Sequence, residues 1–500
     1  MRDTSSHDLH SAPASPVTAH ERARQKMVLA ICLATGFATL LDQSVLNVAV
    51  PALRAELGAG RADVQWILAG YSLTFGLALV PAGRLGDAWG RRGLLIAGLG
   101  LFGVASVIGV LAADPWMLVL ARLLQGVGAG TANPQVIGLI QDTFTGAARV
   151  RALGAYAAVG SLSAILGPVV GGTVLGLAGP ALGWRLAVAL SIPFGLITCL
   201  LAARYLPRSD RPSRRVHLDV GGIALLGLVT VCVLLPVIGV GGAGPVIVAA
   251  WLVAAVLAGA ALVGWERRTA RRGGTPILLP ALFASRGFVL GTVVAMCWFG
   301  SALGLGLVVT LFLQEGLGLS PLVAGLCTLP AAVAMGISST LGWRVVGRYG
   351  RRSVTWMLGL LVATLAAMLL LVGVLPAGAL LAAVVLSQLL TGAAGGLITS
   401  PNQALTLAHA PPGANGLAAG FFQVSQRIAS TLCLAAAGGV FVAVAVPGDL
   451  ATYRLGFSVG ILLSAVLALV ALVASLFDRS GTAPRLDPAQ GRGAPEGTVR

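Results

Sequence analysis

Apolar residues run in long blocks along this chain, broken by short polar connectors in which arginine predominates. A helix that crosses ~30 Å of hydrocarbon at ~1.5 Å per residue needs about 20 apolar residues. Windows of that kind fall at approximately 27–50, 65–83, 94–113, 116–139, 153–178, 184–206, 219–240, 246–265, 288–313, 322–342, 354–375, 379–400, 416–446 and 455–477. They predict an all-α membrane protein of fourteen spans. Glycine and proline are frequent inside the blocks, as expected of membrane helices that pack closely or bend.

The basic residues give an independent check. With the N-terminus inside and fourteen crossings, 27 of the 33 Lys and Arg fall on inside segments. Four fall outside (Arg54, Arg61, Arg185 and Arg454), and only Arg122 and Arg427 lie within spans. This bias predicts a multi-pass protein of the cell membrane with both termini cytoplasmic. Composition agrees, because 57% hydrophobic and 10% charged residues fit no soluble class. The formal net charge of +16 would suggest nucleic acid in a soluble chain. Here the charge orients helices, so the partner implied is the lipid bilayer and no nucleic acid.

Catalytic and metal chemistry find little support. The six cysteines each lie inside an apolar block with no CxxC pair, which removes both disulfide and metal readings. His7, His10, His20, His217 and His409 are isolated in tails or loops, so neither a metal, a cofactor nor the paired groups of a membrane enzyme is indicated.

The chain also repeats itself at a distance of about 260 residues: GDAWGRR (86–92) is echoed by VGRYGRR (346–352), and ANPQ (132–135) by SPNQ (400–403). Such symmetry is typical of transporters built from two six-helix halves about a central site. The expected organisation is a disordered cytoplasmic tail (1–26), an N-terminal six-helix bundle (27–206), and a two-helix insertion with flanking basic loops (207–286). A C-terminal six-helix bundle (287–477) and a second disordered tail (478–500) follow.

Four stretches carry candidate chemistry. In TGFATLLDQSVLNVAVP (35–51), Asp42 places a carboxylate ~22 Å into the membrane, an insertion cost of roughly 2.5–3.5 kcal/mol. In LVLARLLQGVGAGTANPQ (118–135), Arg122 enters from the opposite side to about the same depth, with Gln125 on its face. Asp42 and Arg122 can therefore meet, either as a structural ion pair or as a proton-binding site. In GRLGDAWGRR (83–92), Gly83 and Gly90 suit a tight turn, and Asp87, near a helix start, is surrounded by Arg84, Arg91 and Arg92. A loop that served only to orient helices would gain nothing from that acid. In GAYAAVGSLSAILGPVVGG (154–172), Pro168 predicts a kink and Gly167, Gly171 and Gly172 a surface on which backbones slide.

Together these stretches resemble signature motifs of the major facilitator superfamily, and specifically of its fourteen-spanning drug:proton antiporter branch, over residues 27 to 477. GRLGDAWGRR resembles the loop 2–3 signature, LARLLQG the motif linked to proton transfer, GPVVGG the antiporter signature and LDQSVLNVAVP the span-one motif. The chain departs from the pattern at Ser163, where the antiporter motif has Gly, and at Gly347, where the second loop copy lacks the acid. In FFQVSQRIAST (421–431) the family's glycines after the Arg are missing, so Arg427 either lines the cavity with Gln423 and Gln426 or hydrogen-bonds between helices.

The resemblance implies proton-coupled export of lipophilic, drug- or antibiotic-like compounds by alternating access, with protons and a small-molecule substrate as partners and a monomeric protein. The alternative it leaves is another substrate or direction, such as metabolite export or nutrient uptake. It implies that Asp42 and Arg122 couple the proton and that Gly83, Asp87, Gly90, Arg91 and Arg92 form a conformational latch. The candidate cavity comprises Asn47, Tyr71, Gln125, Trp298, Phe299, Phe421, Gln423 and Arg427. With Asp42 the one deep acid, neutral or singly positive substrates are expected.

Overall fold

In the computed structural model the described residues are 19–206, 219–238, 245–272, 280–319, 321–411, 414–446 and 448–478, and they are all-α. At Asn47 and Pro168 the description covers the backbone alone. The helices are α1 (Ala19–Leu57), α2 (Arg61–Trp89), α3 (Arg91–Val110), α4 (Pro115–Thr143), α5 (Gly146–Ala189), α6 (Ser191–Tyr205), α7 (Val220–Ile238) and α8 (Pro245–Arg271). They continue with α9 (Pro280–Ala284), α10 (Arg286–Leu311), α11 (Pro321–Tyr349), α12 (Arg351–Val374), α13 (Ala377–Leu407), α14 (Asn415–Val444) and α15 (Leu450–Phe477).

Among the described residues, eleven segments are long and apolar enough to cross a membrane. The expected span on α4 is helical but falls short of that criterion. In α4 the reason is chemical, since Arg122, Gln125, Asn133, Gln135 and Gln141 are all buried in it.

One boundary differs from expectation. Helix α1 begins at Ala19, so residues 19–26 of the expected tail are helical, while 1–18 and 479–500 lie outside the described residues. Helix α5 breaks at Gly179 (φ 74°, ψ 171°), in the expected gap between the fifth and sixth spans, with a backbone that glycine adopts without steric cost. Pro168 lies inside the helical run and is not the site of that break. The over-long 416–446 block is one helix, α14.

Packing follows the repeat. Helix α1 packs on α5, α2 on α4, and α3 on α4 and α6; correspondingly α10 packs on α14, α11 on α13, and α12 on α13 and α15. Glycine permits the closest of these approaches: a Cβ at Gly126 or Gly130 would run into the α2 backbone at Tyr71 or Phe75. One at Gly392 or Gly396 would do the same against α11 at Ala331 or Met335. The two six-helix sets meet along two seams, α2 with α14 and α5 with α11. Helix α7 lies against both members of the first seam and carries α8 on its other side.

Candidate functional site

Helices α1 and α4 bring Asp42 and Arg122 into contact. Arg122 Nη1 donates to Asp42 Oδ2 at 2.5 Å, with side chains 2% and 3% exposed for Arg122 and Asp42. Arg122 also donates to Gln125 Oε1 at 2.7 Å and, through Nε, to the Ile67 carbonyl at 3.2 Å. Gln125 Nε2 donates to Ser106 Oγ at 2.7 Å, and Ser191 Oγ joins the same oxygen at 3.2 Å. The Tyr71 ring covers the guanidinium, 4.6 Å from Cζ to centroid, while its hydroxyl lies 3.5 Å from the Thr39 carbonyl.

Each charge thus has a counter-charge and hydrogen-bond partners, which is the condition for two ions to persist out of water. Chemically the arrangement can do more than persist. A proton on Asp42 would remove the counter-ion of Arg122 while leaving two neutral acceptors, Gln125 and the Ile67 carbonyl, to hold the guanidinium in place.

The proposed cavity residues divide. Tyr71 and Gln125 belong to the ion-pair network. Tyr71 also stacks on Phe75 at 6.0 Å, and the Arg427 guanidinium of α14 lies 4.9 Å from the Phe75 ring centroid. Gln423, one turn earlier on α14, has a buried Nε2 with no hydrogen-bond partner among the described residues. Trp298 departs from expectation: it packs into the core of the second set, its Nε1 donating to Thr399 Oγ1 at 2.9 Å and its ring covering Gly395. Phe299 packs beside that core, and Phe421 sits edge-on to Phe283 at 5.3 Å. The side chain of Asn47 lies outside the described residues.

At the arginine-rich end, Asp87 sits in the last turn of α2, not at the start of a helix, and reaches across the seam. Its Oδ1 and Oδ2 accept the backbone N–H groups of Gly416 and Leu417, each at 2.9 Å, in the first turn of α14. The unpaired N–H groups of a helix start favour a carboxylate there. Arg91 holds Asp87 from below at 2.8 Å and ties it to Asp142 at 2.7 Å; Asn415 donates to the same Asp142 at 3.1 Å. Gly90 turns the chain with a positive φ of 96°, as expected, whereas Gly83 is not in the turn at all. It lies inside α2, face to face with Gly416, where any Cβ would strike the opposing backbone. Arg92 donates to the Ala203 carbonyl at the end of α6.

On α5, Gly167 packs on Ser44 and Gly171 on Val45 of α1, while Gly172 faces open space and takes no part in that contact. Ser163, the small-for-small departure, is fully buried.

The profile of the Major Facilitator Superfamily matches residues 32–432, with a second overlapping match over 290–498. The chain belongs to the major facilitator superfamily. As a member it is a multi-pass membrane transporter of small molecules and not an enzyme. Among its relatives, a probable actinorhodin transporter of Streptomyces coelicolor is 33% identical over 425 residues, covering 84% of this chain and 73% of its own. The puromycin resistance protein pur8 of Streptomyces alboniger is 33% identical over 468 residues, covering 88% and 90%. A multidrug resistance protein of Mycobacterium tuberculosis, Stp, is 30% identical over 420 residues, covering 82% and 75%. The major facilitator fold is shared with the proton:xylose symporter XylE, with a TM-score of 0.63 at 16% identity covering 89% of this chain and 95% of that one. The human organic anion transporter MFSD10 aligns with a TM-score of 0.61 at 16% identity, covering 91% and 100%.

Sequence reasoning missed several contributors to this transporter's sites. Ser106 and Ser191 carry no motif and look like ordinary small residues of membrane helices. Asp142 had a signal: it is an acid close to Arg149 and Arg151 at the C-terminal end of α4, where an orienting cluster has no use for one. Phe75 lies one turn beyond Tyr71 on the same face of α2, which would have paired the two rings.

Proposed function

We propose that this transporter exports amphipathic, antibiotic-like organic compounds across the cell membrane in exchange for protons, by alternating access, with both termini in the cytoplasm. The observation that carries the reading is the buried Asp42–Arg122 pair, where one carboxylate can take a proton while its arginine stays hydrogen-bonded. The relatives named for antibiotic transport and resistance support the substrate class.

Alternating access gains support from the arginine-rich end. There Gly83 meets Gly416 and Leu79 meets Gly420 on one seam, and Gly154 meets Ser339 on the other. These contacts support the reading of a transporter closed at its arginine-rich end, with Asp87 latching it by contacts that must break when the seam opens. Glycine-mediated contact of α5 with α1 at Gly167 and Gly171 supplies a close-packed yet movable surface within the first set.

The test uses everted membrane vesicles from cells expressing the protein, energised by respiration so that the lumen is acid. Accumulation of an amphipathic antibiotic that collapses on addition of an uncoupler is the expected result. Accumulation that is indifferent to the uncoupler would remove proton coupling.

A further inference from the structure

Within the interior of the spans the charges do not balance. Asp42 is the one acid there, and Arg122 consumes it. Arg427 has no carboxylate partner among the described residues; what it has is the face of Phe75. Twelve residues into α14, it lies ~18 Å from the inner end of the helix, near the middle of the membrane.

Magnitudes decide whether the ring is enough. A cation–π contact supplies about 0.5–2 kcal/mol, while an uncompensated charge taken out of water costs several kcal/mol. The contact leaves a deficit. Arg427 is also partly exposed at this depth, whereas Arg122 is sealed. Four residues earlier, on the same face of α14, the Gln423 amide nitrogen is buried with no acceptor among the described residues. Two donors without acceptors therefore stand one turn apart, beside an aromatic ring, where the two six-helix sets face each other.

Building on the export reading above, we propose that this face of α14 is an anion subsite. The exported compound carries a negatively charged oxygen group, a carboxylate, sulfonate or phenolate, held by the Arg427 guanidinium and the Gln423 amide. The guanidinium fork matches a two-oxygen anion, and such charge-assisted bonds are about twice as strong as neutral ones. This reverses the charge expected from sequence. That expectation rested on Asp42 as the one deep acid, and in the structure its charge is matched by Arg122. Ring contacts link the subsite to the pair: Arg427 meets Phe75, Phe75 meets Tyr71, and Tyr71 meets Arg122.

Binding is measured on the purified full-length protein by equilibrium dialysis with tritiated benzylpenicillin, an amphipathic monocarboxylate, and with ethidium, a monocation. Saturable benzylpenicillin binding is expected. Arg427→Gln should weaken it by about tenfold or more relative to ethidium, and Arg427→Lys, which keeps the charge, by only about threefold. Absent benzylpenicillin binding, or equal weakening of both probes by Arg427→Gln with no rescue by Lys, overturns the subsite. Arg427-dependent binding of the anion in a protein whose vesicles show no uncoupler-sensitive accumulation would instead retain the subsite and remove the export reading.

Discussion

The two six-helix sets pack alike and carry different chemistry. Both inner loops turn on a glycine with positive φ, Gly90 at 96° and Gly350 at 55°, and both follow it with an arginine in the first turn of the next helix. In the first set that arginine, Arg91, steadies Asp87 against the start of α14 in the other set. In the second set Gly347 stands where Asp87 stood, and Arg351 turns inward to Asn402 at 2.7 Å and to Asp478 at 3.1 Å, both within its own set. Its seam is crossed instead by Trp343, whose ring lies 4.0 Å from the Arg151 guanidinium. The shared packing gives two matching seams on which the sets can rock. The unshared side chains place the acids, Asp42 and Asp87, on one side only, and on the proposed mechanism the first set carries both coupling and latching.

The largest test of that asymmetry is Gly83→Val. A side chain there meets the Gly416 backbone, and overpacking of roughly 1–3 kcal/mol against the closed seam should cut transport about 10- to 100-fold with protein still in the membrane. Uptake in everted vesicles, normalised to membrane abundance, measures it. Asp87→Asn should follow, slowing turnover by about tenfold because one charge-assisted contact set is weakened while the substrate face is untouched. Arg351→Gln should behave differently in kind: it removes a buried ion-pair contact within the second set, so membrane abundance and melting temperature should fall while turnover per molecule changes by less than about twofold. The smallest effect is expected of Trp343→Ala, a loss of about 0.5–1 kcal/mol of partly exposed cation–π contact and a two- to fivefold change in rate. If Trp343→Ala proved as damaging as Asp87→Asn, the two seams would be equivalent and the asymmetry would carry no mechanistic weight.

Much of this was legible in the sequence for physical reasons. Lipid enforces long apolar blocks separated by short polar connectors, so the helices can be read from composition alone. A carboxylate at depth demands a partner, and depth arithmetic found Arg122 for Asp42. What was not legible is what depends on the neighbour across a seam. Gly83 looked like a turn residue because its partner, Gly416, stands 333 positions away in a different helix. Asp87 looked like a cap of the helix that follows it and instead caps one from the other set. Trp298 looked like a substrate contact because aromatic residues in a transporter invite that reading, yet Gly395 and Thr399 make a fitted slot for it. Nor does the sequence show that Glu266, near the end of α8 in the two-helix insertion, is buried, with Arg84 of α2 attracted to it and to Asp219.

The claim that coupling resides in the first set is tested most directly by Asp42→Asn in proteoliposomes, measuring uphill transport driven by a pH gradient and downhill exchange of labelled for unlabelled substrate side by side. The account predicts that uphill transport is abolished while exchange persists, because the asparagine fills the same position and takes no proton, and Arg122 keeps Gln125 and the Ile67 carbonyl. Protein lost from the membrane and restored by adding Arg122→Gln would make the pair structural. Asp42→Asn that still accumulates substrate against a gradient would contradict the account.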